Sequence, residues 1–108
     1  MALPALCSLL TWSLGVASAV LPLRINELLA DPAGPDTGAE FVEIVNPSAQ
    51  GVDLQGVGLE FANGADGIWR RRWTGGPGEF LSAGAVFLLV DRGWTGAAAA
   101  DAEVSLEL

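Results

Sequence analysis

The chain predicts an all-β domain built as a β-sandwich of about six or seven strands behind an N-terminal signal peptide. Three observations carry that expectation. Beyond residue 23 the 108-residue sequence is cut every several residues by Gly, Pro, Asn or Asp. The runs between these breaks are too short for helices and rich in the β-branched and aromatic side chains that suit a pleated surface. With 51% hydrophobic and only 17% charged residues, the chain is too apolar to stay unfolded in water. The length allows one small domain.

The leader comes first. Nothing before Arg24 is charged, and the opening stretch ends in Ala17-Ser18-Ala19. Small side chains at the first and third of those positions are what a signal peptidase pocket admits, so cleavage is expected between Ala19 and Val20. The positive end usual in such leaders is here only the α-amino group. The competing reading is a membrane anchor, since 23 uncharged residues would span about 30 Å of hydrocarbon as a helix. Pro4, Ser8, Thr11, Ser13, Gly15, Ser18 and Pro22 break that run and favour the leader. The chain therefore divides into a signal peptide at 1–19 and a domain at 20–108. Cys7 goes with the leader, and removing 19 of 108 residues leaves 89 without cysteine. Burial alone must then hold the domain.

A first extended run, Leu23 to Leu29, stops at Asp31-Pro32-Ala33-Gly34-Pro35-Asp36, where two prolines remove donors and restrict φ. The second is Glu40 to Val45, closed by Asn46-Pro47-Ser48. Strand alternation puts Val42 and Ile44 toward the core and Glu43 on the other face, with Glu40 at the strand entrance. In the third, Leu54 to Phe61, Val57, Leu59 and Phe61 share a face. Asn63-Gly64 then predicts a two-residue type I′ turn, with Ile68 to Trp73 as the return strand. Ala85 to Val90 is continuously apolar, as expected of a strand covered on both faces or of a sheet centre. The alanines at 97–100 lack a periodic face and are read as a loop. Val104 to Leu108 closes the chain as a strand.

Between Arg24 and Val90 the sequence resembles the lamin tail domain family. The resemblance lies in Ile25-Asn26-Glu27-Leu28, Glu40-Phe41-Val42-Glu43-Ile44-Val45-Asn46 with Pro47-Ser48, Val52-Asp53-Leu54-Gln55-Gly56, and Leu81-Ser82-Ala83-Gly84-Ala85-Val86-Phe87, in that order and spacing. It implies an immunoglobulin-like β-sandwich. The leader, and the lack of heptads for a coiled-coil rod, resemble the secreted bacterial branch rather than nuclear lamins. Family members usually continue past the equivalent of Val104–Leu108, so the resemblance implies a chain clipped at its C-terminal end. It also implies no catalysis. Such domains accompany secreted nucleases, phosphatases and other hydrolases, where they tether or mediate interactions.

The residue inventory agrees. With no His and no cysteine after residue 7, no Ser–His pair and no N/S-ligated zinc site can be built. A carboxylate pair of Glu40 and Glu43 would sit on opposite faces of one strand. Asp31, Asp36 and Glu40 could bend around calcium, but the spacing is not that of an EF-hand, and capping of turns is the expectation. Asn26 and Asn46 are likewise assigned to structure, Asn46 as the head of an Asx-turn before Pro47. Neither metal nor cofactor is expected.

Trp69-Arg70-Arg71-Arg72-Trp73 is the candidate binding patch. In an unbroken strand Trp69, Arg71 and Trp73 share a face, and the Arg71 guanidinium could stack between two indoles. The bland alternative is that the tryptophans cover a sheet face and the arginines balance an acidic molecule. Thirteen acidic residues against five basic ones, all Arg, set the formal net charge at −8, which disfavours nucleic acid and anionic lipid. The expected function is a secreted, non-catalytic module that tethers or adheres to a protein or cell-surface partner, located outside the cell, in the periplasm or on the cell surface, with no membrane insertion after cleavage. The alternative is a polyanion-binding module, for DNA or acidic polysaccharide, using Arg70, Arg71 and Arg72.

Overall fold

The computed structural model describes residues 6–10, 21–29, 38–62 and 64–106. Among them lie nine strands: β1 (Leu6–Leu10), β2 (Arg24–Leu29), β3 (Phe41–Val45), β4 (Val52–Asp53), β5 (Gly58–Ala62), β6 (Trp69–Thr74), β7 (Phe80–Leu81), β8 (Val86–Asp91) and β9 (Ala102–Val104). The protein is an immunoglobulin-like β-sandwich, as the resemblance implies. One sheet has the order β1-β5-β6, a second β2-β3-β8-β9, and β4 pairs with β7 alone. Only β8 and β9 run parallel.

Strand alternation positions the core. On β3, Val42 and Ile44 are buried while Phe41, Glu43 and Val45 are half-buried. On β5, Leu59 points the same way as Val57 from the preceding loop, and both join the core. The two larger sheets meet there: Trp73 of β6 packs on Phe87 of β8 with ring centroids 5.3 Å apart. Leu54, Leu81, Leu89 and Leu106 complete the contact. Burying a side chain of this size contributes about 1.5–3 kcal/mol, and these residues supply what disulfides would otherwise add.

Two sequence expectations change. The register pairs Ala62 with Trp69, so the β5–β6 loop covers 63–68 and not the two residues of a type I′ turn at Asn63-Gly64; Asn63 lies outside the described residues. The turn is shaped instead by Asp66, whose Oδ1 accepts the Ile68 amide at 2.8 Å. The closing strand is β9, ending at Val104, with Leu106 buried beyond it. β8 is a sheet centre, one of its two expected places; Val86 is exposed and Leu88 half-buried, because the outer face of the sheet is covered in part. Residues 6–10, which precede the expected cleavage point, pair with the rest of the chain: β1 lies antiparallel to β5, with Ser8 opposite Glu60. The alanines at 97–100 do form a loop.

Asn46 is the polar centre of the fold. It is fully buried. Its Oδ1 accepts the Ser48 amide at 3.1 Å, closing the expected Asx-turn, and also the Ser48 hydroxyl at 2.6 Å. Its Nδ2 donates to the carbonyls of Gln50, Leu81 and Ser82 at 2.8, 3.1 and 3.2 Å. One side chain thus ties the end of β3 to the end of β7.

Candidate interaction site on strand β6

β6 forms an edge of its sheet, paired only with β5. Its register contains an irregularity: Leu59 opposes Trp73 and Glu60 opposes Arg71, so Arg72 is an extra residue with no opposite number. A bulge of this kind inverts the faces on either side of it. Trp73 therefore points into the core beside Leu59, whereas Arg71 and Trp69 lie on the Glu60 and Ala62 face. The expected shared face of Trp69, Arg71 and Trp73 does not exist, and Arg71 does not stack between the two indoles. The reason is the inserted residue, which period-2 counting cannot see.

The patch consequently splits. Trp73 is buried and belongs to the core, Arg72 is half-buried, and Arg71, Arg70 and Trp69 are exposed. Ile68, just before the strand, is 54% exposed and Trp69 43%. Arg70 reaches back to Asp66, with Nη2 to Oδ2 at 2.9 Å. That hydrogen bond, helped by the Ile68 amide, holds the Asp66 carboxyl below its ordinary range, and the same bond raises the Arg70 guanidinium. The Arg71 guanidinium lies over Gly58 of β5; a Cβ there would stand 2.7 Å from Arg71 Cζ. The missing side chain of Gly58 is what lets an arginine lie flat against the sheet.

A concave feature lies on the outer face of the four-stranded sheet. This groove of about 180 Å³ is lined by Glu27, Phe41, Glu43, Leu88, Trp94 and Ala98. Glu27 and Glu43 are direct cross-strand neighbours. Asn26, the extra residue at a bulge in β2, donates to Glu43 Oε1 at 2.6 Å. Trp94 meets Phe41 edge-on at 5.8 Å and donates from Nε1 to the Ala98 carbonyl at 2.9 Å. Sequence reasoning did not reach this groove, because the loop after β8 brings Trp94 and Ala98 to β3 only through tertiary packing.

The remaining candidates are not brought together among the described residues. Glu40 is buried and Glu43 faces the groove, so the two carboxylates stand on opposite sides of β3. Asp31 and Asp36 lie outside the described residues, as do Ala19 and Val20. Among the described residues no three His, Cys, Asp or Glu side chains are grouped to hold a metal ion, and no helix is long and apolar enough to cross a membrane.

What this geometry defines is a class: an immunoglobulin-like sandwich that presents exposed side chains for surface contact. Residues 16–106 match the family model of the Lamin Tail Domain, and the chain belongs to that family. The family is non-catalytic and immunoglobulin-like, which points to an interaction module. No curated protein and no solved structure matches the chain.

Proposed function

We propose that this chain is an exported module that binds a protein or cell-surface partner through the exposed end of β6. Ile68 and Trp69 form the apolar contact and Arg71 the polar one. The observation that supports this reading is the open indole of Trp69, 43% exposed, on the same face as the Arg71 guanidinium. Aromatic and arginine side chains are enriched among the residues that dominate interface energetics. The polyanion alternative has less to draw on. Arg70 is engaged with Asp66, Arg72 is half-buried, and the net charge is −8. Export draws support from the uncharged leader ending in Ala17-Ser18-Ala19, and mass analysis of the exported protein should find Val20 at its start. An intact Met1 in a membrane fraction would favour the anchor.

The test compares the wild-type chain with Trp69→Ala and Arg71→Ala for binding to intact cells of the source organism and to heparin. Both variants should keep native stability within about 0.5 kcal/mol and lose cell binding. Unchanged cell binding with lowered stability would return these residues to the fold. Heparin binding that falls with salt at a log–log slope near −2 to −3 would instead support the polyanion reading.

A further inference from the structure

Sheet edges in proteins are normally blunted against pairing by charges, prolines, bulges or shortness. Three of the four edges of the two larger sheets here conform. β6 carries three arginines and a bulge. β2 carries Arg24, Asn26 and Glu27 with a bulge at Asn26. β9 is three residues long.

β5 is different. Gly58-Leu59-Glu60-Phe61-Ala62 has no proline and no basic residue, and its one acid faces Arg71 of β6. Gly58, Leu59, Phe61 and Ala62 are all buried. Phe61 and Ala62 are buried without belonging to the main core cluster. They lie where β1 pairs, opposite Cys7 and Leu6. β5 is thus built as an interior strand, and the segment that makes it one is Leu6-Cys7-Ser8-Leu9-Leu10, paired over its whole length without a break. That segment falls within the leader.

We propose that the outer edge of β5 is a strand-acceptor site for an extended apolar segment of a partner protein, closed in cis by Leu6–Leu10 and opened when that segment is removed. Removal would leave the outward N–H and C=O groups of β5 without partners beside Phe61 and Ala62. An incoming strand restores both the main-chain bonds and the cover, with antiparallel pairing as β1 shows. The releasing event rests on the proposed export and cleavage; the acceptor edge itself is independent of the β6 patch.

The experiment keeps the full chain and replaces cleavage by displacement. Successive N–H groups of a strand point to opposite sides, so of Ser8→Pro and Leu9→Pro one removes a bond to β5 and the other replaces an outward N–H. The probe is a synthetic peptide of residues 5–11 with serine at position 7. One proline variant should speed amide exchange along β5 by about tenfold or more, bind the peptide, and recover protection on binding. The other proline variant and the wild type should do neither. Unchanged β5 exchange in both variants, an opened edge that refuses the peptide, or equal binding by the wild type would each overturn the proposal.

Should the opening variant lose its native Trp73 fluorescence, the combination Cys7→Ser, Ser8→Cys and Glu60→Cys decides. Cross-strand partners stand about 4.5–5.5 Å apart at Cα, within disulfide range. In mild urea the reduced form should take the peptide and the oxidised form should not. Binding by both forms or by neither overturns the proposal. Trp69→Ala and Arg71→Ala should leave peptide capture unchanged, so failure of the β6 reading and failure of this one are told apart.

Discussion

Replacing Asn46 by alanine tests whether one buried amide holds β3 to the β4–β7 ribbon. The side chain is fully buried. It donates to three carbonyls, of Gln50, Leu81 and Ser82, and accepts from the Ser48 amide and hydroxyl. Some partners keep another bond after truncation: the Gln50 carbonyl still accepts the Ser48 hydroxyl, and the Ser82 carbonyl still accepts the Ala85 amide. The Leu81 carbonyl, in the most buried of the three donor contacts, loses the bond from Nδ2. A lost hydrogen bond costs about 0.5–1.5 kcal/mol and a stranded buried group about 1–3 kcal/mol. The expected loss is therefore about 2–4 kcal/mol, a large share of the roughly 5–15 kcal/mol that holds a domain together. At a slope near 1 kcal/mol/M the urea midpoint should fall by about 2 M or more. A change below about 0.5 kcal/mol would refute the reasoning.

The sign of a pH effect provides a second check on the same site. Asn46→Asp keeps the acceptor for Ser48 but turns a carboxylate toward three carbonyl oxygens. Burial and those oxygens both disfavour the charge, so the folded-state pKa of the new carboxyl is raised above its unfolded value. The variant should be least stable at neutral pH and gain stability as pH falls through that raised pKa. A variant that loses stability over the same fall would contradict the network.

Three further outcomes are expected. Ile44→Ala, at a fully buried position of β3, should cost about 2–4 kcal/mol in denaturant unfolding, and a loss under about 0.5 kcal/mol would mean the strand is misplaced. Gly75→Ala would drive a Cβ into the Leu54 carbonyl oxygen, whereas Gly78, at φ 81°, has open space around it; the first should cost more than about 2 kcal/mol and the second about 1 kcal/mol of backbone strain, so similar thermal shifts would refute the close approach. Asp66, held below its ordinary range by Arg70 and the Ile68 amide, should titrate by NMR with a lowered midpoint that Arg70→Gln moves upward; since a depressed pKa stabilises above the unfolded value, the contribution disappears as pH falls through the folded one.

Local chemistry alone determined several features of this protein. Alternation at period 2 marked Val42 and Ile44 as core residues and put Val57, Leu59 and Phe61 on one face, and all five are buried. Asn46 before Pro47 marked an Asx-turn, and the Ser48 amide closes it. The ordered motif blocks pointed to the lamin tail family, which the match over residues 16–106 bears out. These features depend on neighbours a few residues apart, so a linear reading reaches them. Pairing does not. Which strand lies beside which, and in what register, is settled by contacts far apart in the chain. Arg72 is spelled like its neighbours, yet as the extra residue opposite β5 it sends Trp73 inward and leaves Trp69 and Arg71 outside. The same holds for the six-residue loop between β5 and β6, the parallel β9 beside β8, and the donors from Asn46 to Leu81 and Ser82 on the far side of the fold. A strand's own sequence states which residues share a face; only its partner strand decides where that alternation is broken and which face meets the core.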